Sequence, residues 1–176
     1  LEGAIKKVSA QSFLSGEPIT VDLTISCIRK NMAIVSQEIF LFRGTIADNI
    51  RYARPDATND EVIAAAKAAS AHSFISKLPD AYDTMLGERG VGLSGGENQK
   101  VSAARLFARD FEIAILDEPS SALDPIAEYK MYENLIEVTK NKTVIYISHR
   151  LSSAVLSDRI FVLGNGTILE SGSHSE

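Results

Sequence analysis

Apolar positions along this chain change period several times, and each change marks an element. Val101, Ala104, Ala108 and Phe111 recur at helical spacing, so one stripe of that helix is buried. Ser94, followed three residues later by Glu97, has the capping-box pattern and opens the helix; Asp110 closes it. Ile113-Ala114-Ile115-Leu116 is a short, wholly apolar run, as expected of a strand buried on both faces of a parallel sheet. Ala33 to Val35 is another apolar strand, ending in Ser36 and Gln37. From residue 46 to 92 the pattern is helical. Thr58 and Glu61 repeat the capping spacing ahead of Val62, Ala65, Ala66 and Ala69, and Phe74, Ile75 and Leu78 extend an apolar face until Pro79. A further helix covers residues 126 to 140, with Met131, Tyr132, Leu135 and Ile136 on one side. Thr143 to Ile147 is the next buried strand, so strand, helix and strand form a right-handed parallel βαβ unit. Ile160–Leu163 and Thr167–Leu169, split by Gly164-Asn165-Gly166, predict a hairpin. Ile19-Thr20-Val21-Asp22 alternates and suggests one more strand; the first 30 residues are otherwise the least patterned.

Composition narrows the class. At 176 residues, with 45% hydrophobic and 23% charged side chains, the chain is expected to be one soluble α/β domain. Eighteen Lys and Arg against 23 acids give −5, which argues against a nucleic-acid partner. No apolar run approaches the ~20 residues of a membrane helix, and no signal peptide is expected. The lone Cys27 excludes an internal disulfide and a Cys-rich metal site. His72 has no second His or Cys near it in sequence and is read as a helix-surface residue. Two places carry chemistry. The Ser94-Gly95-Gly96-Glu97 helix start offers bare backbone amides and a positive dipole end, which attract phosphate. Asp117 and Glu118 fall at the C-terminal end of an apolar strand, where open α/β sheets bind ligands.

Taken together, these segments resemble the nucleotide-binding domain of ATP-binding-cassette (ABC) transporters. Leu93 to Glu97 match the family's LSGGQ signature, with Glu97 where Gln is usual. Ile113 to Asp117 match Walker B, Glu118 the catalytic glutamate, Ser121-Ala122-Leu123-Asp124 the D-loop, Gln37 the Q-loop glutamine and His149 the switch histidine. Phe42-Arg43-Gly44-Thr45-Ile46 and Gly87-Glu88-Arg89-Gly90 match segments of exporters, the latter an X-loop. The resemblance implies a P-loop NTPase-like (RecA-like), mostly parallel sheet core from residues 1–42 and 111–176, with an inserted helical subdomain at 43–110. It implies that Mg²⁺ and ATP bind, with Asp117 and Gln37 holding the metal mainly through water. Glu118 would act as general base, and His149 would contact the γ-phosphate. Ser94, Gly95, Gly96 and Glu97 would meet a nucleotide held on a second such domain. Partners implied are that second domain, in a homo- or heterodimer, and the coupling helices of a transmembrane domain at the cytoplasmic face of the plasma membrane.

One expected part is absent. A P-loop needs G-x-x-x-x-G-K-[ST], and the chain contains no Gly-Lys pair; the first tyrosine is Tyr52, too late to stack on adenine before such a loop. Because Glu118, His149 and the signature persist, this is read as missing chain, with Lys6-Lys7-Val8-Ser9 and Asp22-Leu23 as junctions. The function expected is the ATPase of an ABC exporter, inactive in the chain alone. The alternatives are a soluble ABC-type ATPase of DNA repair or translation, and a non-catalytic partner that donates only its signature face.

Overall fold

The computed structural model describes residues 21–87, 92–149 and 157–174. It divides into two compact units, residues 1–146 and 147–176. The Leu1–Thr20 expectations and residues 88–90 of the expected X-loop lie outside the described residues.

The first unit opens with helix α1, Val21–Asn31, and strand β1, Met32–Val35. Of the strand expected at Ile19–Asp22, Val21 and Asp22 are helical instead; Ile19 and Thr20 lie outside the described residues. Four alternating residues are too few to outweigh a segment whose Cys27 is only 2% exposed. Arg109 donates from Nη2 to the carbonyls of Arg29 and Lys30 at 2.8 and 2.9 Å, satisfying end groups that α1 leaves open. The Glu112 N–H bonds the Asn31 carbonyl at 2.8 Å, starting β1 and β4 (Ile113–Asp117) side by side. The two strands pair in parallel, Met32 opposite Ile113 through Val35 opposite Leu116, and β5 (Thr143–Ile147) flanks β4 on the other side.

Between β1 and β4 the chain runs through β2 (Gly44–Thr45), α2 (Ile46–Arg51), α3 (Asn59–Ala68), α4 (His72–Ile75), a 3₁₀ turn at Ala81–Asp83, β3 (Met85–Leu86) and α5 (Gly95–Ala108). β2 and β3 pair antiparallel. Three of these helices begin with full capping boxes: Thr45–Asp48 for α2, Thr58–Glu61 for α3 and Ser94–Glu97 for α5. Val101, Ala104 and Ala108 of the expected stripe are buried on α5 and cluster with Val62, Ala65 and Ala66 of α3 and Ile46 and Ile50 of α2; Phe111, also buried, lies beyond the end of α5 and joins the residues around the sheet instead. A second cluster, Ala33, Val35, Leu106, Ala114, Leu116 and Leu135, fills the space around the sheet.

Helix α6, Pro125–Thr139, follows β4. Met131, Tyr132 and Leu135 are buried as expected, but Ile136 is exposed. β4 alternates buried and half-buried residues instead of being buried on both faces, and β5 leaves Ile145 and Ile147 about half exposed. An apolar run shows that a strand suits a core without showing how many faces are covered. The second unit holds the hairpin β6 (Ile160–Gly164) and β7 (Thr167–Gly172), antiparallel, with a register shift between Val162 and Leu163. Asn165 and Gly166 both take positive φ, 51° and 77°, as a two-residue hairpin turn requires.

Candidate functional site

Helix α5 starts in a closed ring of hydrogen bonds. The Ser94 N–H and hydroxyl both donate to Glu97 Oε2 at 2.8 Å, and the Glu97 N–H donates to Ser94 Oγ at 3.3 Å. The Ser94 backbone bond, then its side-chain bond, holds the Glu97 carboxyl below its usual value. Ser94 and Gly95 are exposed and Gly96 is half-buried. The N–H groups of Gly95 and Gly96 precede any intrahelical acceptor, so a phosphate could use them. Glu97, however, adds a negative charge to that end.

Asp117 ends β4, and Glu118 begins the turn that follows. Glu118 has φ +47°, unusual for a side-chain-bearing residue and more so before Pro119, whose ring restricts its predecessor. The turn is tied internally by Ser121 N–H to Glu118 O at 3.2 Å and Leu123 N–H to Ser120 O at 3.0 Å. Asp124 then caps α6, accepting from the Ile126 and Ala127 amides at 3.1 and 3.0 Å; the Ala127 bond is the main reason its carboxyl titrates low. Across the sheet edge, Gln37 follows β1 and donates from Nε2 to Glu118 Oε2 at 3.3 Å. That contact joins residues 81 positions apart, and it follows from the parallel pairing of β1 with β4.

The signature and D-loop candidates also meet. A Cβ placed on Gly96 would lie 2.9 Å from the Ala122 carbonyl oxygen, so only glycine allows this approach. Gln99, one turn further and 2% exposed, reaches the same segment: Nε2 donates to Glu118 O at 3.1 Å and Ser121 Oγ at 3.2 Å, and Oε1 accepts from Ala122 N–H at 2.8 Å. Beneath the turn, Ser120 Oγ donates to Glu128 Oε1 at 2.7 Å and lies 3.1 Å from the Tyr132 hydroxyl, which is paired with that of Tyr146. Burial, then the Tyr132 contact, pushes the Tyr146 hydroxyl up.

The structure therefore brings together Gln37, Glu118, the start of α5 and residues 121–124. His149 is exposed after β5, within the second unit. His72 is half-buried, its Nδ1 2.8 Å from the Tyr82 hydroxyl. Sequence reasoning missed Gln99, Ser120 and Glu128. The one available signal was position: Gln99 lies three residues after Gly96, on the same helix face.

The family model described as ABC transporter matches residues 2–121. An uncharacterized ABC transporter ATP-binding protein of Bacillus subtilis, YknU, is 49% identical over 160 residues, which is 91% of this chain and 27% of that protein. An ATP-dependent lipid A-core flippase of Legionella pneumophila is 47% identical over 163 residues, 93% of this chain and 28% of the relative. A structure described as a bacterial Atm1-family ABC exporter with ATP bound superposes with a TM-score of 0.81 at 43% identity, covering 86% of this chain and 26% of that one. The chain thus spans little more than a quarter of the length of these relatives.

Proposed function

This chain belongs to the ABC transporter family, and from that premise we propose that it is the ATP-hydrolysing domain of an exporter, coupling Mg-ATP hydrolysis to transport across a membrane. The observation that carries the proposal is the Gln37–Glu118 contact at the edge of the parallel sheet, on the same turn that packs against the capped start of α5. In this reading residues 43–110 form the helical subdomain that presents α5, and residues 1–42 and 111–176 form the core. Two such domains close head to tail. Ser94, Gly95 and Gly96 then donate hydrogen bonds to the γ-phosphate of a nucleotide held on the other domain, with Glu97 closing the cap beside them. Residues 121–124 line the same seam. No helix among the described residues is long and apolar enough to cross a membrane. By its likeness to exporters, the domain works at the cytoplasmic face of the plasma membrane, against coupling helices of a transmembrane domain.

Asp117 and Gln37 offer the oxygen donors that Mg²⁺ prefers. Among the described residues no group of three His, Cys, Asp or Glu could form a metal cage. Mg²⁺ keeps several waters and is held by one or two side chains together with substrate phosphates. When bound, it neutralises charge on the phosphates. Glu118 takes the proton of the attacking water, Gln37 orients Glu118 and that water, and His149 contacts the γ-phosphate.

A second reading is favoured by one feature of the sequence, the lack of any Gly-Lys pair for a P-loop. In that reading the chain offers its signature face to a partner's nucleotide and holds none itself. Two measurements on the full protein separate these readings. Glu118→Gln should reduce steady-state turnover by roughly 10²–10⁴-fold while ATP still binds; near-normal turnover would remove Glu118 from the role. Calorimetric titration of Mg-ATP into the complete domain, with any P-loop it carries, should show tight binding under the first reading and none under the second; the 176-residue chain alone should bind no ATP tightly under either.

A further inference from the structure

Gln99 carries a role that the motif resemblance does not assign. We propose that Gln99 is a positioning residue for Glu118, holding the turn after β4 against the signature helix so that the base and the signature face move as one body. The inference rests on the reading of Glu118 as general base. Gln99 is a neutral amide buried to 2% exposure, and all three of its hydrogen bonds go to one five-residue segment. Two of them reach backbone atoms, the Glu118 carbonyl and the Ala122 N–H. The Glu118 carbonyl is thereby held from two sides, by Gln99 Nε2 at 3.1 Å and by the Ser121 N–H at 3.2 Å.

That carbonyl belongs to the residue whose backbone is strained. A left-handed conformation persists only where its surroundings over-determine it, and here Gln99 supplies a side-chain restraint from outside the turn. The orientation of the carboxyl follows from the backbone that carries it. Gln37 meets Glu118 Oε2 from the opposite strand at 3.3 Å, so the carboxylate is placed by two glutamines, one on its side chain and one on its main chain. Gly96 completes the joint: its missing Cβ lets the first turn of α5 approach the Ala122 carbonyl. Gly96 and Gln99 are three residues apart on one face, so the helix that would face the partner's nucleotide is keyed to the turn that serves this domain's own.

The test uses the full protein, with kcat, KM for ATP and unfolding temperature measured together. Gln99→Met, close in volume and without polar atoms, should lower kcat by roughly 10–10²-fold, the effect of ångström-scale misplacement. KM for ATP should change by less than about twofold, because Gln99 touches no nucleotide. In a Glu118→Gln background the same change should produce no further loss, since there is then no base to position. If Gln99→Met does not fold, Gln99→Glu keeps the volume and the acceptor for the Ala122 N–H while losing the donor to the Glu118 carbonyl, and carries the same expectations. Normal kcat per folded molecule with a lowered unfolding temperature would overturn the proposal, as would losses that multiply in the double variant. Normal turnover in Glu118→Gln alone would instead reject the general-base reading.

Discussion

Gly95 and Gly96 are adjacent at the start of α5, yet alanine should have opposite effects at the two. A Cβ on Gly95 finds only the Ala122 Cβ, at an ordinary 3.9 Å, whereas one on Gly96 falls 2.9 Å from the Ala122 carbonyl oxygen. Ala122 cannot swing aside cheaply, because its own N–H is held by Gln99 at 2.8 Å. Replacing Gly by Ala in a helix contributes up to ~1 kcal/mol. Over-filling a packed contact costs about 1–3 kcal/mol. Gly95→Ala should therefore be neutral or mildly stabilising, and Gly96→Ala should be less stable than Gly95→Ala by about 1–3 kcal/mol. For a chain of this size each kcal/mol moves the unfolding midpoint by roughly 2–4 °C, so the two variants should melt roughly 2–12 °C apart. Differential scanning calorimetry in nucleotide-free buffer reads this directly. Variants that melt together, or Gly96→Ala melting higher, would refute the close approach of the 118–122 turn to α5. Gly95→Ala, being tolerated in the fold, then isolates the trans approach of phosphate: ATP-dependent closure should weaken in it without loss of stability.

Two further outcomes are expected. Arg105 is half-buried, donates to Phe40 O, Asn49 O and Asn49 Oδ1 at 2.7, 2.9 and 2.8 Å, and lies over the Phe42 and Tyr52 rings; Arg105→Lys cannot reproduce that fork, and each buried acceptor left open costs about 1–3 kcal/mol, so chemical denaturation should show a loss of that order or more, and an unchanged midpoint would sink the clamp. Glu61 is lowered from 4.5 to about 2, first by its bond with Arg54 and then by Thr58; because the folded value is the depressed one, its contribution is complete above pH 4.5 and is lost as pH falls from there towards about 2, so the melting difference between wild type and Glu61→Gln should shrink across that window, and a constant difference would refute the linkage.

Local signals were legible wherever partner and residue lie within one turn. Ser94–Glu97 and Thr58–Glu61 were readable because both halves of a capping box sit three residues apart. Thr45–Asp48 escaped because the usual pattern asks for Glu or Gln, yet Asp48 reaches the Thr45 N–H at 3.0 Å. The buried stripe of α5 and the Asn165-Gly166 turn were readable for the same local reason. Burial that depends on distant chain was not. Ile136, Ile145 and Ile147 are apolar and patterned for a core, yet exposed. Asn49, Gln99, Ser120 and Glu128 are polar and nonetheless buried. Periodicity assigns such residues to the surface, because their partners appear only after folding. Arg105 and Phe40 are 65 residues apart, and Gln99 and Ala122 are 23. The Gln37–Glu118 meeting was inferable only through the family resemblance, since nothing local to either residue names the other.

The polar residues that periodicity missed have a common placement that the apolar core does not explain. Arg105, near the C-terminal end of α5, ties that helix to α2 and to the segment after Gln37 through Asn49 and the Phe40 carbonyl. Gln99, near its N-terminal end, ties it to the turn carrying Glu118. Ser120, on that turn, is tied in turn to α6 and β5 through Glu128, Tyr132 and Tyr146. Where α5 meets α3 much of the apolar contact comes from alanines, Ala103, Ala104 and Ala108 on one side and Ala65 and Ala66 on the other, beside Val101 and Val62, and small side chains alone fix neither the rotation nor the axial position of a helix. Directional hydrogen bonds do. A 14-residue helix is about 21 Å long, so one held by a guanidinium near one end and an amide near the other cannot turn at either without straining both. The aromatic surface of Phe40, Phe42 and Tyr52, where Phe40 and Tyr52 are more than half exposed, is thereby linked to the helix start at Ser94 by a rigid element, and the buried polar residues are placed where that rigidity requires them.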